Sequence, residues 1–457
     1  MGNFLSKYRN MDLLQGSLWD KIIVFSLPLA FTSILQQLFN AADVAVLGNF
    51  VGKDAVAAVG NNIPIIGLVV NLFVGISLGA NVVVARYIGM KDPNNANDAV
   101  HTAFSLAIII GLVIALVGIP FADTIVSWLG VPDNVKEGAS TYLRVYFLGM
   151  PFIAMYNFEA ALFRSKGDTN TPLIALAYAS VFNIIGNLVV VLVFDMQTGG
   201  VALTTALSNG LCALYLFYKL RKESGFLHLD YKKVVEFRPR KARAIVSIGL
   251  PAGIQGMVFS LSNLLIQSAI NSLGTDVMAA SAAAFTIEIN VYCFINAFGL
   301  AATTFISQNY GAGNLPRCRQ IIHACFWLDF IITSVFSAFI LFFSYELVGF
   351  FSDSEAVIAL GVIRILYVVG PEMISVTMEI MSGAMRGFGY SLPPALVTLF
   401  GICCVRIVWI FTVFEMHPTY SVLMAVYGIS WAITAVLLYI IYVRFVHKLK
   451  KQEHSLN

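Results

Sequence analysis

Long apolar runs constrain this chain more than any other feature. They recur from about residue 22 to 447, each roughly 20 residues or longer, enough for a helix to cross about 30 Å of hydrocarbon. Lipid offers the backbone no hydrogen-bond partners, so only helices or closed barrels can span it. A barrel would show segments of about ten residues with alternating polarity, and the sequence has none. Twelve spans are read, the tenth centred near residue 369. Of the 457 residues, 58% are hydrophobic and 12% charged, about half the charged share of a soluble domain. The fold class is therefore an all-α integral membrane protein.

The net charge of +3 says little, but its placement is informative. Most Lys and Arg fall in the N-terminus, the even-to-odd loops and the C-terminal tail, among them Lys7, Arg9, Arg86, Lys91, Arg164, Lys166, Arg317, Arg319, Arg444 and Lys448. The opposite loops carry acids such as Asp133, Glu137, Asp276, Asp353 and Glu415. The positive-inside rule then puts both termini in the cytoplasm of a multi-pass plasma-membrane protein. The start, MGNFLS, fits a myristoylation pattern that is short enough to arise by chance. Six cysteines lie in or beside apolar segments without metal-ligand spacing and read as packing thiols.

The chain matches itself at an offset of 222 residues. Gly52, Asp54 and Ala57 correspond to Gly274, Asp276 and Ala279; His101 and Phe104 to His323 and Phe326; Arg164, Gly167 and Pro172 to Arg386, Gly389 and Pro394. One register includes rare residue types, which membrane composition alone would not reproduce. The expected organisation is an N-terminal bundle of six helices (1–221), a basic cytoplasmic linker (222–242) and a C-terminal bundle of six with a short tail (243–457). An even number of spans gives both pseudo-symmetric bundles one orientation, a plan that secondary transporters use repeatedly. The bland alternative is a duplicated sensor or scaffold with no central path.

Ionisable groups inside a span cost a few kcal/mol each, so each needs a reason. In the first span Ser33, Gln36, Asn40 and Asp43 are spaced 3, 4 and 3 apart, on one helix face ending in a carboxylate. The fifth span adds Asn183 and Asn187; the sixth adds Thr204, Thr205, Ser208 and Asn209. Low dielectric disfavours an ionised carboxylate, which makes Asp43 the proton-carrier candidate. The second-half positions aligned with Asp43 are Leu265 or Ile266, so the acid is no requirement of the six-helix unit. The C-terminal half holds Glu288, Asp329, Glu372, Glu379 and Arg406 within apolar runs, with Glu288 and Glu372 as further substrate or cation candidates. Arg144 and Arg364 read as interfacial arginines with their heads in water, and Glu159 as a charge ordering the nearby loop. No phosphate-binding loop and no histidine or cysteine metal cluster appears. No enzyme chemistry, cofactor, metal or nucleic-acid partner is expected.

LPLAFTSILQQLFNAADVAVLG from Leu27, QNYGAGN from Gln308, and the paired RSKGDTNTP from Arg164 and RGFGYSLPP from Arg386 resemble the multidrug and toxic compound extrusion (MATE) transporters, bacterial type, over essentially the whole chain. The resemblance implies a V-shaped pair of six-helix lobes around a central cavity, exporting cationic or amphipathic drugs in exchange for H⁺ or Na⁺. It puts the family's first-helix cation-site aspartate on Asp43. The family's fifth-helix pattern of Asn followed four residues later by Asp falls on Asn183 and Asn187, so the second position departs from the acid. With one carboxylate fewer, Na⁺ would be held less well, which favours H⁺. Another subgroup uses acids on helices 7, 8 and 10; Glu288 and Glu372 match the last two, but helix 7 offers only Gln255, Ser260, Asn263 and Gln267. The reading is a monomeric multidrug antiporter working by alternating access, coupled through Asp43, Asn183, Asn187 and Thr204. Gln36, Asn40, Glu288 and Glu372 are the substrate-side candidates, and H⁺ or Na⁺ is the coupling ion. The same superfamily also contains flippases of lipid-linked oligosaccharides, the main alternative; they would want a cationic cavity, and Arg406 is the residue that suits it.

Overall fold

The computed structural model describes residues 11–230, 233 and 236–456; the MGNFLS start, Lys7 and Arg9 lie outside them. The first six spans are α1 (Trp19–Phe50), α2 (Lys53–Gly89), α3 (Pro93–Trp128), α4 (Asp133–Lys166), α5 (Asn170–Leu192) and α6 (Gln197–Lys222). The rest are α7 (Pro239–Asn271), α8 (Thr275–Gly311), α9 (Leu315–Phe342), α10a (Glu355–Val368), α10b (Glu372–Gly387), α11 (Leu392–Phe414) and α12 (Tyr420–Leu456). Among the described residues eleven helices are long and apolar enough to span alone, and α10a and α10b, bent by 42°, pass the same test as a pair, for up to twelve spans. The bend falls at Gly370-Pro371, next to the centre expected for the tenth span, because Pro371 cannot donate the backbone bond that would continue the helix. α11 contains two widened turns, Leu399–Cys404 and Ile410–Phe414, that flank Arg406.

The sequence repeat recurs in backbone geometry. Gly167 ends α4 with φ +98°, and Gly389, its partner at the 222 offset, has φ +88°. Both positions are left-handed, where a Cβ is strained and glycine is not. In the RSKGDTNTP motif the next residue, Asp168, lies just before α5. Its Oδ1 accepts the Asn170 and Thr171 N–H groups, and its Oδ2 accepts from Thr171 Oγ1. Burial pushes the Asp168 carboxyl up, against the lowering effect of those donors. Asp92 and Asn314, also 222 apart, each cap the following helix through the side chain.

Two compact units emerge, and they cut the chain differently from the repeat. The first comprises the segment ending at Leu14, Phe31–Gly253 and Gly311–Gly313; the second comprises Gln15–Ala30, Ile254–Tyr310 and the chain from Asn314. α1 and α7 are thus each divided between units. Within the first unit the cause is backbone contact between α2 and the start of α7. A Cβ on Gly75 would come within 2.1 Å of Gly253 Cα, and one on Gly79 within 2.1 Å of the Ile245 carbonyl oxygen. Two glycines four residues apart on each helix (Gly75 and Gly79, Gly249 and Gly253) remove the side chains that would keep these helices apart. Within the second unit the start of α1 is held on α8 by an edge-on contact of Phe25 with Phe305, centroids 5.4 Å apart.

The linker is docked, not loose, at the points described. His101 Nε2 accepts from the Asp230 N–H at 3.0 Å, and Thr102 Oγ1 accepts from the Arg238 N–H at 3.2 Å. Lys241 donates to Tyr87 and Asn95 while lying 3.8 Å from the centroid of the Tyr87 ring. The six cysteines are free thiols, five of them buried.

Candidate functional site

The first unit holds one closed ring of buried polar side chains. Asp43, on the last third of α1, is 3% exposed; Asn183 and Asn187, one turn apart on α5, are fully buried; Thr205 on α6 is 3% exposed. Asn187 Nδ2 donates to Asp43 Oδ1 at 2.6 Å and to Asn183 Oδ1 at 3.2 Å. Thr205 Oγ1 donates to Asp43 Oδ2 at 2.9 Å and accepts from Asn183 Nδ2 at 3.3 Å. Asn187 Oδ1 is buried with no hydrogen-bond partner among the described residues. No basic side chain pairs with Asp43 among the described residues.

The helices place these groups by close packing. A Cβ on Gly186 would come within 2.4 Å of Thr204 Cγ2, so glycine at 186 lets α6 press against α5. The Thr204 methyl faces α5 while its hydroxyl bonds the Gly200 carbonyl of its own helix at 3.0 Å, and its neighbour Thr205 faces Asp43. Ser208 and Asn209 bond their own helix, at Thr204 O and Thr205 O. Val46, Leu47, Val59, Tyr142, Val191 and Val201 form an apolar cluster beyond the ring, drawn from α1, α2, α4, α5 and α6. Gln36 and Asn40 are exposed positions of α1, so the polar stripe runs from an exposed face to the buried carboxylate. Asp43 can take up a proton, and with the Asn187, Asn183 and Thr205 oxygens it can offer a small cation several ligands. Without a basic neighbour it also suits an organic cation.

The second unit sorts its charges differently. Glu288 is held by both prongs of Arg364, Nε to Oε2 at 3.0 Å and Nη2 to Oε1 at 2.5 Å. Arg364 is 3% exposed, which corrects its expected interfacial placement: the acid on α8 draws the guanidinium inward, and bidentate pairing replaces its hydration. Glu379 lies 3.9 Å from Arg386, which donates to Gln255 Oε1 at 2.9 Å. Asp329 accepts from Thr333 at 3.0 Å, but its Oδ2, like Glu372 Oε2, has no hydrogen-bond partner among the described residues. Glu288 and Glu372 therefore differ: one is paired with an arginine, and the other is a buried acid outside any ion pair among the described residues. In the first unit Glu159 is fully buried with both carboxylate oxygens unpartnered among the described residues, so it does not order a surface loop. Its position on the inner face of α4 overrides its closeness in sequence to Arg164. Arg144 pairs with Asp123 at a half-exposed position.

Two segments of equal length, residues 28–189 and 251–412, match the MatE family. The first contains Asp43, Asn183 and Asn187; the second contains Glu288, Glu372 and Arg406. The chain is 27% identical over 447 residues to the probable multidrug resistance protein YoeA of Bacillus subtilis, covering 95% of each chain. It is 26% identical to the probable multidrug resistance protein NorM of Thermotoga maritima, covering 85% of this chain and 84% of that one. The fold is shared with a solved structure described as the outward-facing conformation of a multidrug resistance MATE family transporter. That match has a TM-score of 0.87 at 22% identity and covers 96% of this chain and 98% of the other. The chain belongs to the MatE family, a family of membrane transporters and not of enzymes.

Proposed function

We propose that this protein is a cation-coupled multidrug efflux antiporter of the cell membrane, with H⁺ favoured over Na⁺, that exports organic cations by alternating access. The observation that carries the reading is Asp43: a buried carboxylate with two hydrogen-bond donors and no paired base among the described residues. Its charge is stabilised by dipoles alone, so a proton or a cationic substrate is the partner that completes it. The two compete for one site, and competition is the differential affinity that antiport requires. A proton entering from outside displaces the organic cation outward, and its loss to the cytoplasm restores the carboxylate for the next one.

Asn187 supplies the response to protonation. In the ionised ring both its amide N–H bonds point at oxygens, and its own carbonyl oxygen is idle. A proton on Asp43 Oδ1 makes that atom a donor, and a half turn of the Asn187 and Asn183 amides together offers it the Asn187 Oδ1 acceptor, with Asn183 Nδ2 then donating to Asn187 and Asn183 Oδ1 accepting from Thr205. The ring thus has two hydrogen-bonded states that differ by one proton. Gln36 and Asn40 line the approach to Asp43. The repeat halves act as the two lobes of the cycle, the protein works as a monomer, and both termini face the cytoplasm. Parallel assays of organic-cation efflux under a pH gradient and under a Na⁺ gradient test this reading. Efflux driven only by Na⁺ would overturn the assignment of the ion, and loss-free efflux by Asp43→Asn would overturn the site.

A further inference from the structure

Arg406 is the largest fully buried side chain among the described residues, 0% exposed on α11, and no carboxylate lies within 4.0 Å of it there. Nη1 donates to Asn263 Oδ1 at 2.8 Å and Nε to Ser430 Oγ at 3.4 Å. Nη2 is buried with no partner among the described residues, so only two of the guanidinium's five donors are used. Its faces are covered: the Tyr427 centroid is 4.4 Å from Cζ and the Phe259 centroid 5.4 Å. The same Tyr427 ring lies 5.8 Å from Cζ of Arg364. Two guanidinium groups therefore share one tyrosine, while among the described residues the only carboxylate paired to either is Glu288, whose two oxygens are both taken by Arg364.

This cluster is short of one negative charge. Leaving a buried ion uncompensated is costly, and the chain accepts that cost between two widened turns, Leu399–Cys404 and Ile410–Phe414. Such turns inside α-helices recur at functional sites. Asn263 and Phe259, on the α7 side of the cluster, are only half-buried, so this is the side from which a ligand group would approach Nη2.

We propose that Arg406 binds an oxyanion, the carboxylate of a zwitterionic amphipathic substrate, with Tyr427 and Phe259 holding the guanidinium flat and Asn263 fixing its orientation. The proposal rests on the export reading for the identity of the ligand, not for the existence of the anion site. Substrates carrying both a cationic and a carboxylate group are then preferred over cationic esters of the same skeleton.

The test has two arms on purified full-length protein. Calorimetry with benzoate needs no transport: the wild type binds it, and Arg406→Gln weakens binding roughly tenfold or more, as loss of a charge-assisted hydrogen bond would. Absence of benzoate binding by the wild type overturns the anion site. The second arm compares binding and export of rhodamine B with its ethyl ester. Arg406→Gln lowers the acid-to-ester preference about tenfold, Asn263→Leu lowers it less, and Arg406→Lys retains part of it. A merely structural arginine would reduce both dyes alike and leave the preference unchanged, which contradicts the proposal. Should Arg406→Gln fail to fold, Asn263→Leu and Arg406→Lys carry the same comparison. Displacement of benzoate by phosphatidylglycerol with no acid-to-ester preference would assign the site to lipid phosphate and overturn the substrate assignment. Benzoate binding without export of either dye would leave the anion site standing and sink the export reading instead.

Discussion

Asn187 donates an amide hydrogen to the carboxylate of Asp43 at 2.6 Å, across 144 positions of sequence. The contact joins α1 to α5 at a buried point, where a carboxylate at 187 would instead put two negative charges side by side. An amide there makes the pair a donor and an acceptor, and Asp43 is held by hydrogen bonds from Asn187 and Thr205.

Replacing Asn187 with Asp restores a second acid. Asn187→Asp is expected to raise Na⁺ affinity and give efflux a Na⁺ requirement, because two carboxylates need a cation between them or a shared proton. Na⁺-dependent quenching of substrate binding, compared between wild type and variant, checks this. An unchanged response to Na⁺ would mean that residue 187 does not choose the ion.

Adjacent threonines separate site from scaffold. Thr205→Val removes a donor to Asp43 Oδ2 and should weaken substrate-cation binding or coupling by about 1.5–3 kcal/mol, the usual worth of a hydrogen bond to a charged group. Thr204→Val removes only a bond to the Gly200 carbonyl and should leave transport near wild type. Transport assays on the two variants at matched expression make the comparison.

Glu288 and Arg364 form a buried bidentate pair, and each is expected to matter through the other. Glu288→Gln or Arg364→Gln alone should destabilise by about 3–5 kcal/mol, since each leaves an uncompensated charge. The double replacement should recover much of the loss. Thermal unfolding in detergent gives the coupling. Independent, additive effects would show that the pair is not the unit it appears in the structure.

Helix packing at Gly75 is equally exposed to test. A side chain there meets Gly253 backbone at 2.1 Å, so Gly75→Val must push α7 away from α2. The expected loss is about 1–3 kcal/mol or more from overpacking, read as a lower melting temperature. Gly60, with nothing within 4 Å of an added Cβ, is the control and should tolerate Ala.

Much of this was legible because membranes leave the sequence few options. Spans follow from apolar run length, and the second copy of each turn motif gave the repeat its register, confirmed in the paired left-handed backbones of Gly167 and Gly389. Asp43, Asn183 and Asn187 could be grouped because two lie one turn apart and the third is a lone acid in a span. Partner choice was not legible. Whether Thr204 or Thr205 faced Asp43 depended on how far Gly186 let α6 rotate against α5, a tertiary detail. Arg364 looked interfacial because hydropathy cannot see Glu288, far away in the chain, waiting inside the bundle. The divided membership of α1 and α7 escaped a reading that cut the chain at its linker, although the paired glycines at 75, 79, 249 and 253 were a visible signal of close helix approach.

The central claim is that Asp43 exchanges a proton for an organic cation. The direct measurement reconstitutes the wild type and Asp43→Asn into liposomes and follows a fluorescent organic cation, with a pH gradient or a Na⁺ gradient imposed separately. Acid on the extracellular face alone is expected to drive wild-type export, Na⁺ alone is not, and Asp43→Asn, folded and inserted at normal levels, is expected to show neither. Robust pH-driven export by Asp43→Asn would contradict the claim.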